Sequence, residues 1–295
     1  MKRQIDAFEQ YLTVDKKASK NTVESYIRDL NQFSLYCTSL KISSPQKVKT
    51  ATVDEYLRAL TKQGKSDATK ARISASLRAF FRYLISIGAV NTNPVTDAAK
   101  SKVTKKLPGV LESQEIVKLL SQPNGDDYKS IRDKAMLELL YATGIKVSEL
   151  LDLKVTDFNL QLGILHLNNG KKERIIPIYP AAVKSVTDYL LNVRPAIVLD
   201  ANQDKLFTNM NGLAMSRQGF WKIIKQYAKD AGIKEEITPH TLRHSFAAHL
   251  LENGARLQDI KEMLGHSDIS STQIYAQYIK NKYTSNYAKF HPLAK

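Results

Sequence analysis

One cysteine stands among 295 residues, so neither an internal disulfide nor a thiolate cluster can form. That residue, Cys37, lies in an apolar-periodic segment and reads as a buried, inert thiol suited to a reducing compartment. No apolar run approaches the roughly 18 residues that a membrane span requires. The opening MKRQIDAFEQ also lacks the apolar middle of a signal peptide. The expected location is therefore cytoplasmic, with no membrane partner. Acidic residues are scarce as well: 29 Asp and Glu against 44 Lys and Arg leave a net charge of +15. The imbalance is not confined to one tail, since residues 1–100 carry 17 basic and 9 acidic side chains and the remainder 27 and 20. A chain basic along its length suits a protein that surrounds a polyanion, which makes nucleic acid the leading partner. An anionic membrane surface fits less well, because no Lys/Arg block flanks an exposed amphipathic anchor.

Internal repeats and low-complexity tracts are missing too, and what remains is organised as two parts. Residues 1–98 read as a helical unit. In SKNTVESYIRDLNQFSLYC, Val23, Tyr26, Ile27, Leu30 and Phe33 recur at intervals of three and four, with Ser19 or Asn21 placed to cap the start. A second strong helix, DATKARISASLRAFFRYLISIG, places Ile73, Leu77, Phe80, Phe81 and Leu84 on one face and ends at Gly88. Lys70, Arg72, Arg78 and Arg82 occupy its other faces and could lie against DNA or in solvent. Shorter helices near 3–13 and 52–63 complete four. Residues 99–109, within a stretch carrying Pro94, Pro108 and four lysines, are expected to be the linker. Residues 110–295 form the second unit, in which the helical period gives way to a β-hairpin: ILHLN, a turn at NGK, then ERIIPI. Helices follow near 180–192, 216–230, 241–253 and 256–264, with two smaller ones near 270–278 and 282–290. The predicted fold is mainly α, with a small antiparallel β-sheet in the second domain.

The chemistry concentrates in HTLRHSFAAHLLENGARLQDIKEMLGHSDISSTQIYAQ, residues 240–277, which holds four of the six histidines. His240 and Arg243, three apart after Pro239, share one face at a helix start, where both can reach a phosphate. His266 follows the helix RLQDIKEML, and Tyr275 comes nine residues later. Tyrosine ionises near pH 10, so it serves as a nucleophile only beside a base and fixed positive charge. Arginine and imidazole N–H groups can stabilise the anionic phosphorane-like state without a metal. A zinc reading would use His240 and His244, but the Glu of an HExxH site is missing and no third ligand is evident. Neither metal nor cofactor is expected, and His244 and His249 read as structural.

H-x-x-R-H, then L-G-H, then a tyrosine nine residues on resembles the catalytic signature of the tyrosine recombinases. In length and layout, from SKNTVESYIRDL through NPV to FHPLAK, the chain is similar to the bacterial Xer-type members. The resemblance implies an N-terminal four-helix core-binding domain and a mostly helical catalytic domain clamped around double-stranded DNA. It implies that Tyr275 attacks the scissile phosphate, forming a 3′-phosphotyrosyl link and releasing a 5′-hydroxyl, so that neither ATP nor metal is required. Arg243 would clamp the phosphate while His240 and His266 hydrogen-bond to it and assist proton transfer. Tyr278 is the rival nucleophile, at a spacing that departs from the family's.

Two positions depart from the pattern. YATGIKVSELLDL matches the family's first arginine motif, but Lys146 stands at the arginine position; lysine keeps the charge without the planar two-point contact. The general-acid lysine implied by the resemblance falls in the hairpin turn, where NNGKKERIIPI is about one residue shorter than the usual turn; Lys171 is the first choice and Lys172 the second. The resemblance further implies paired inverted half-sites, a Holliday junction, and a homotetramer or a heterotetramer with a related recombinase. Its last helix would dock on a neighbouring protomer, and a division-linked DNA motor could activate it. Resolution of chromosome dimers is the expected task. A mobile-element integrase and a cleavage-impaired DNA-binding protein are the alternatives, the latter because of Lys146. A type IB topoisomerase would share the nucleophile but relax supercoils without paired sites.

Overall fold

The computed structural model describes residues 1–96, 109–168, 173–200 and 202–290. The chain divides into two compact units, Met1–Lys105 and Lys106–Lys295. The linker expected at 99–109 lies, apart from Gly109, outside the described residues.

The first unit is built from α1 (Lys2–Gln10), α2 (Lys20–Ser39), α3 (Thr50–Lys62) and α4 (Asp67–Ser86). Ser19 and Ser66 cap α2 and α4, their side chains accepting from the Thr22 and Thr69 N–H groups, which satisfies donors that a helix start leaves open. The apolar faces read from the sequence meet in one core, with Leu30, Phe33, Leu77, Phe80 and Phe81 buried around Cys37. Burial pushes the Cys37 thiol up to about 11, so the thiolate is disfavoured at neutral pH. The core also encloses a charge: Asp29 accepts from Arg72 at 2.6 Å and from Ser76 at 3.2 Å. Burial raises its pKa while Arg72 pulls it back down. Lys70 pairs with Asp67, and Arg78 donates to the Thr96 carbonyl; of the four basic positions on α4, Arg82 is the most exposed to solvent.

The second unit begins with α5 (Ser113–Ser121), α6 (Tyr128–Thr143) and α7 (Val147–Asp152). A three-stranded antiparallel sheet follows: β1 (Phe158–Asn159), β2 (Ile164–Asn168) and β3 (Glu173–Pro177), in the order β1-β2-β3. Pairing of β2 with β3 runs from Ile164 against Pro177 to Asn168 against Glu173, so Lys171 and Lys172 fall in the connection between the strands, outside the described residues. Alternation along β3 turns Arg174 and Ile176 inward and leaves Glu173 and Ile175 outward. After the sheet come α8 (Pro180–Asp188), α9 (Arg194–Ile197), α10 (Arg217–Asp230), α11 (Pro239–Glu252), α12 (Leu257–Leu264) and α13 (Gln273–Phe290). The two small helices expected near 270–278 and 282–290 are one 18-residue helix, preceded by a 3-10 turn at Ile269–Ser271. No Gly or Pro interrupts residues 273–290, and a polar middle at Lys280–Asn281–Lys282 lowers the apolar signal without breaking the backbone. Its first turn packs with Phe246, Ala247, Ile260 and Leu264 in a small core of their own, which includes Tyr275.

Candidate active site

Helix α11 is the centre of the site, and its local sequence explains how it starts. Thr238 caps it, its Oγ1 accepting from the Thr241 N–H, and Pro239 occupies the first helical position, where no N–H is needed. The helix is buried nearly all round, at its own Thr241, Leu242, Ser245, Phe246, Ala247 and Ala248, so any charge on it must be compensated. Arg243 is 4% exposed and meets that requirement by donating Nη1–H to the Gly144 carbonyl at 2.7 Å and Nη2–H to the Leu264 carbonyl at 2.8 Å. Burial lowers its pKa from the ordinary arginine value. Gly144 ends α6 at φ 59°, and a Cβ there would lie 2.2 Å from the Phe246 ring, so only glycine places that carbonyl against Arg243.

Arg243 Nη2 also lies 3.0 Å from His266 Nε2. A guanidinium can only donate, so Nε2 accepts and the imidazole proton sits on Nδ1, which faces Thr272 Oγ1 at 3.0 Å. Burial, with help from the positive charges of Arg243 and Lys146, pushes His266 down to about 4 and keeps it neutral. Thr272 in turn accepts the Tyr275 N–H at its carbonyl, 3.1 Å away, which ties the tyrosine's backbone to the histidine turn.

Tyr275 is 1% exposed, and its hydroxyl lies 2.9 Å from His244 Nδ1. Burial raises the phenol's pKa and the nearby Arg243 opposes that rise. His244 is pushed down to about 4, by burial first and then by His240 and Arg243. His240 stands exposed on the first turn of α11, its ring centroid 6.3 Å from that of His244. Lys146 is exposed at the start of α7, where its backbone N–H donates to Glu149 Oε2 at 2.8 Å. Glu149 Oε1 accepts from Arg174 Nη2 at 2.7 Å, and Arg174 Nη1 donates to the Met263 carbonyl at 3.0 Å. His249 bridges Tyr141 and the Leu111 carbonyl, a structural position. Tyr278 is on the same helix as Tyr275, and its hydroxyl is likewise raised by burial. Among the described residues, no group of three or more His, Cys, Asp or Glu side chains is gathered to hold a metal ion.

Arg243, His266 and Tyr275, singled out by their ordered motif and its resemblance to the tyrosine recombinase signature, therefore meet in one place, with His240 and Lys146 at its exposed edge. Lys171 lies outside the described residues. Two groups escaped the sequence reading. His244, taken there as structural, faces the tyrosine hydroxyl, a contact spanning 31 residues that helical periodicity does not encode. Arg174 was legible in principle, since the alternation of ERIIP puts it on the same side as Ile176.

Residues 109–282 match the family model described as phage integrase family, and residues 5–88 match the phage integrase N-terminal SAM-like domain. The chain is 44% identical over 292 residues to tyrosine recombinase XerD of Halalkalibacterium halodurans, covering 98% of each chain. It is 43% identical to tyrosine recombinase XerD of Listeria innocua, covering 98% of this chain and 99% of that one. Among solved structures, XerH site-specific recombinase bound to palindromic difH substrate in a post-cleavage complex shares the fold at a TM-score of 0.78. That likeness has 23% identity and covers 96% of this chain and 84% of that one. A lambda integrase dimer bound to a core site is similar at a TM-score of 0.72, with 20% identity, over 93% and 94% of the two chains.

Proposed function

The chain belongs to the phage integrase family as a Xer-type tyrosine recombinase, and we propose that it cuts and rejoins DNA at a dedicated site through Tyr275. Site-specific recombination is the activity of the family; the assignment of roles to residues of this chain rests on one observation, the convergence of Tyr275, Arg243 and His266 from three segments. Attack of the phenol oxygen on the scissile phosphorus makes a 3′-phosphotyrosyl bond while the bond to the 5′-oxygen breaks. The ester retains the energy needed for rejoining. Negative charge builds on the nonbridging oxygens, and Arg243 supplies the fixed charge to meet it, with His240 as a hydrogen-bonding partner of the phosphate and His266, which accepts from Arg243, orienting the guanidinium. Three of the five Arg243 N–H donors are engaged among the described residues, which holds the guanidinium plane in place for the remainder to meet a phosphate. Lys171 serves as the general acid that protonates the 5′-oxygen, with Lys172 as the alternative. Lys146 contributes a point charge beside the same phosphate.

DNA is the partner in this reading, engaged as paired inverted half-sites by four protomers, either identical or shared with a related recombinase. Resolution of chromosome dimers in the cytoplasm, under control of a division-linked DNA motor, is the task that fits a Xer-type chain. Covalent trapping tests the reading: the protein, Tyr275→Phe and Lys146→Arg are each incubated with fragmented DNA of the source genome and denatured, and attached DNA is sequenced. Attachment that depends on Tyr275 is the expected result and reveals the site. Attachment that persists in Tyr275→Phe would remove it as the nucleophile. Lys146 favours a second reading, a DNA-binding protein impaired in cleavage; attachment by Lys146→Arg alone would select it.

A further inference from the structure

We propose that His244 is a catalytic residue of strand cleavage: neutral, with its own proton on Nε2, it accepts the Tyr275 hydroxyl proton at Nδ1 as the phenol oxygen bonds to phosphorus. The inference rests on the reading of Tyr275 as the nucleophile. It names the base that takes the phenol proton, in a step where the resemblance gives His240 and His266 a share, from the contact that His244 makes with the Tyr275 hydroxyl. His266 cannot take the part in this arrangement, because its Nε2 lone pair is held by Arg243 and its Nδ1 proton faces Thr272. The 2.9 Å contact between His244 Nδ1 and the Tyr275 hydroxyl falls within the reach required of a general base.

The step balances. The Tyr275 oxygen forms its bond to phosphorus, the bond from phosphorus to the 5′-oxygen breaks, and the phenol proton goes to Nδ1, leaving His244 as imidazolium. The 5′-oxygen takes its proton from the general-acid lysine. In rejoining, a 5′-hydroxyl bonds to phosphorus and gives its proton back to that lysine, the bond from phosphorus to the Tyr275 oxygen breaks, and His244 returns its proton to the departing phenol. The groups that face His244 are His240 and Arg243 on its own helix, His266 from the turn after α12, and Tyr275 from α13. Burial and this positive surrounding hold the resting imidazole down to about 4, while burial raises the phenol. With acid and base so far apart, the proton stays on Tyr275 at rest. A phosphodiester anion seated against Arg243 opposes the field that weakens His244, so the substrate itself strengthens the base. Transfer then accompanies formation of the bond to phosphorus, and no free tyrosinate is needed beforehand.

The full-length protein provides two tests. In the first, histidine 15N resonances report the tautomer without DNA: His244 should carry its proton on Nε2 at pH 7, and its Nδ1 resonance should move in Tyr275→Phe. A proton found on Nδ1 would overturn the proposal. In the second, single-turnover cleavage is measured on a nicked duplex of the sequence recovered by covalent trapping, with DNA binding checked by gel shift. His244→Asn retains a hydrogen-bonding atom near the Nδ1 position but cannot accept a proton in this range. It should bind as the unmodified protein does yet cleave at least about 100-fold more slowly. Its rate should rise about tenfold per pH unit from pH 6 to 8, because hydroxide must replace the base, whereas the unmodified protein should show no such rise. His244→Ala should behave the same way if it folds. A His244→Asn protein that cleaves at the unmodified rate with the same pH profile would overturn the proposal. If neither the unmodified protein nor Lys146→Arg yields covalent product, the nucleophile reading fails, and the tautomer measurement still decides the His244 to Tyr275 relation by itself.

Discussion

Replacing Arg174 by methionine should destabilise the second unit by roughly 3–5 kcal/mol, the usual cost of removing one partner of a buried ion pair. Arg174 and Glu149 side chains are 7% and 9% exposed, with Nη2 and Oε1 2.7 Å apart, so their interaction is sheltered from solvent screening. The same guanidinium donates to the Met263 carbonyl, one residue before the Leu264 carbonyl that receives Arg243. Its loss therefore takes a counter-charge from a buried carboxylate and loosens the turn that carries His266. The only tryptophan, Trp221, lies in α10, which makes its fluorescence a reporter for this unit in a urea titration. At a slope of about 2 kcal/mol per M, the midpoint should fall by roughly 1.5–2.5 M. Exchanging both partners, Arg174→Met with Glu149→Leu, should cost less than the sum of the single changes, since neither leaves a buried charge behind. A loss below about 1 kcal/mol in Arg174→Met, or strict additivity in the double variant, would refute the assignment of this pair as a buried electrostatic brace.

Gly144→Ala forces a Cβ to within 2.2 Å of Phe246 at a positive φ and displaces the carbonyl that receives Arg243. It should lower the urea midpoint and abolish trapping together; a variant stable and active as the parent would show that the turn can relax. Stability of the second unit should also fall as pH drops from the ordinary histidine value of 6.5 towards about 4. In that window the unfolded chain protonates His244 and His266 while the folded one holds them neutral, so protons favour unfolding. Asp127, Asp204, Asp259 and Asp268, all lowered from 3.8, carry the same sign, since the unfolded chain binds their protons first, but they weaken the fold only at still lower pH. A urea midpoint unchanged between pH 7 and 4.5 would contradict the neutral imidazoles. Lys282 bridges Glu112 at 3.1 Å and Glu252 at 3.0 Å from a position 30% exposed. Lys282→Met should cost no more than about 1 kcal/mol yet speed amide hydrogen exchange in the second half of α13; unchanged exchange would mean that the helix is held by other contacts.

The elements legible in the sequence are those whose signal is local. Ser19 and Ser66 announce helix starts by their own side chains, and Leu30, Phe33, Leu77 and Phe81 reveal a core because one helix face repeats within a few residues. The spacing of Arg243, His266 and Tyr275 also survives into the fold, since α11, α12 and the turn after it are rigid steps between them. What could not be read is pairing between elements. Nothing in the order of residues says that the ring four positions after His240 turns to Tyr275 while His249, five further on, turns to Tyr141. Nor does a polar run such as Lys280–Asn281–Lys282 tell whether a helix ends or merely faces solvent; the absence of Gly and Pro was the better guide.

Lys146 is the position where sequence and structure bear on each other most directly. Its backbone is fixed by a chain of contacts that does not use its side chain. Gly144 O accepts from Arg243, which donates also to Leu264 O; Met263 O accepts from Arg174, which pairs with Glu149; and Glu149 returns to the Lys146 N–H. The loop from 144 to 149 is thus held at both ends by the arginines of β3 and α11, and its side chain at 146 projects to the exposed edge of the site. A lysine there costs the scaffold nothing that an arginine would provide. The difference lies in the head group alone, a single charged nitrogen in place of a planar fork. The frame around position 146 therefore separates folding from chemistry: a change of this side chain acts on how the phosphate is held, while the positions of Arg243, His266 and Tyr275 are secured by other residues.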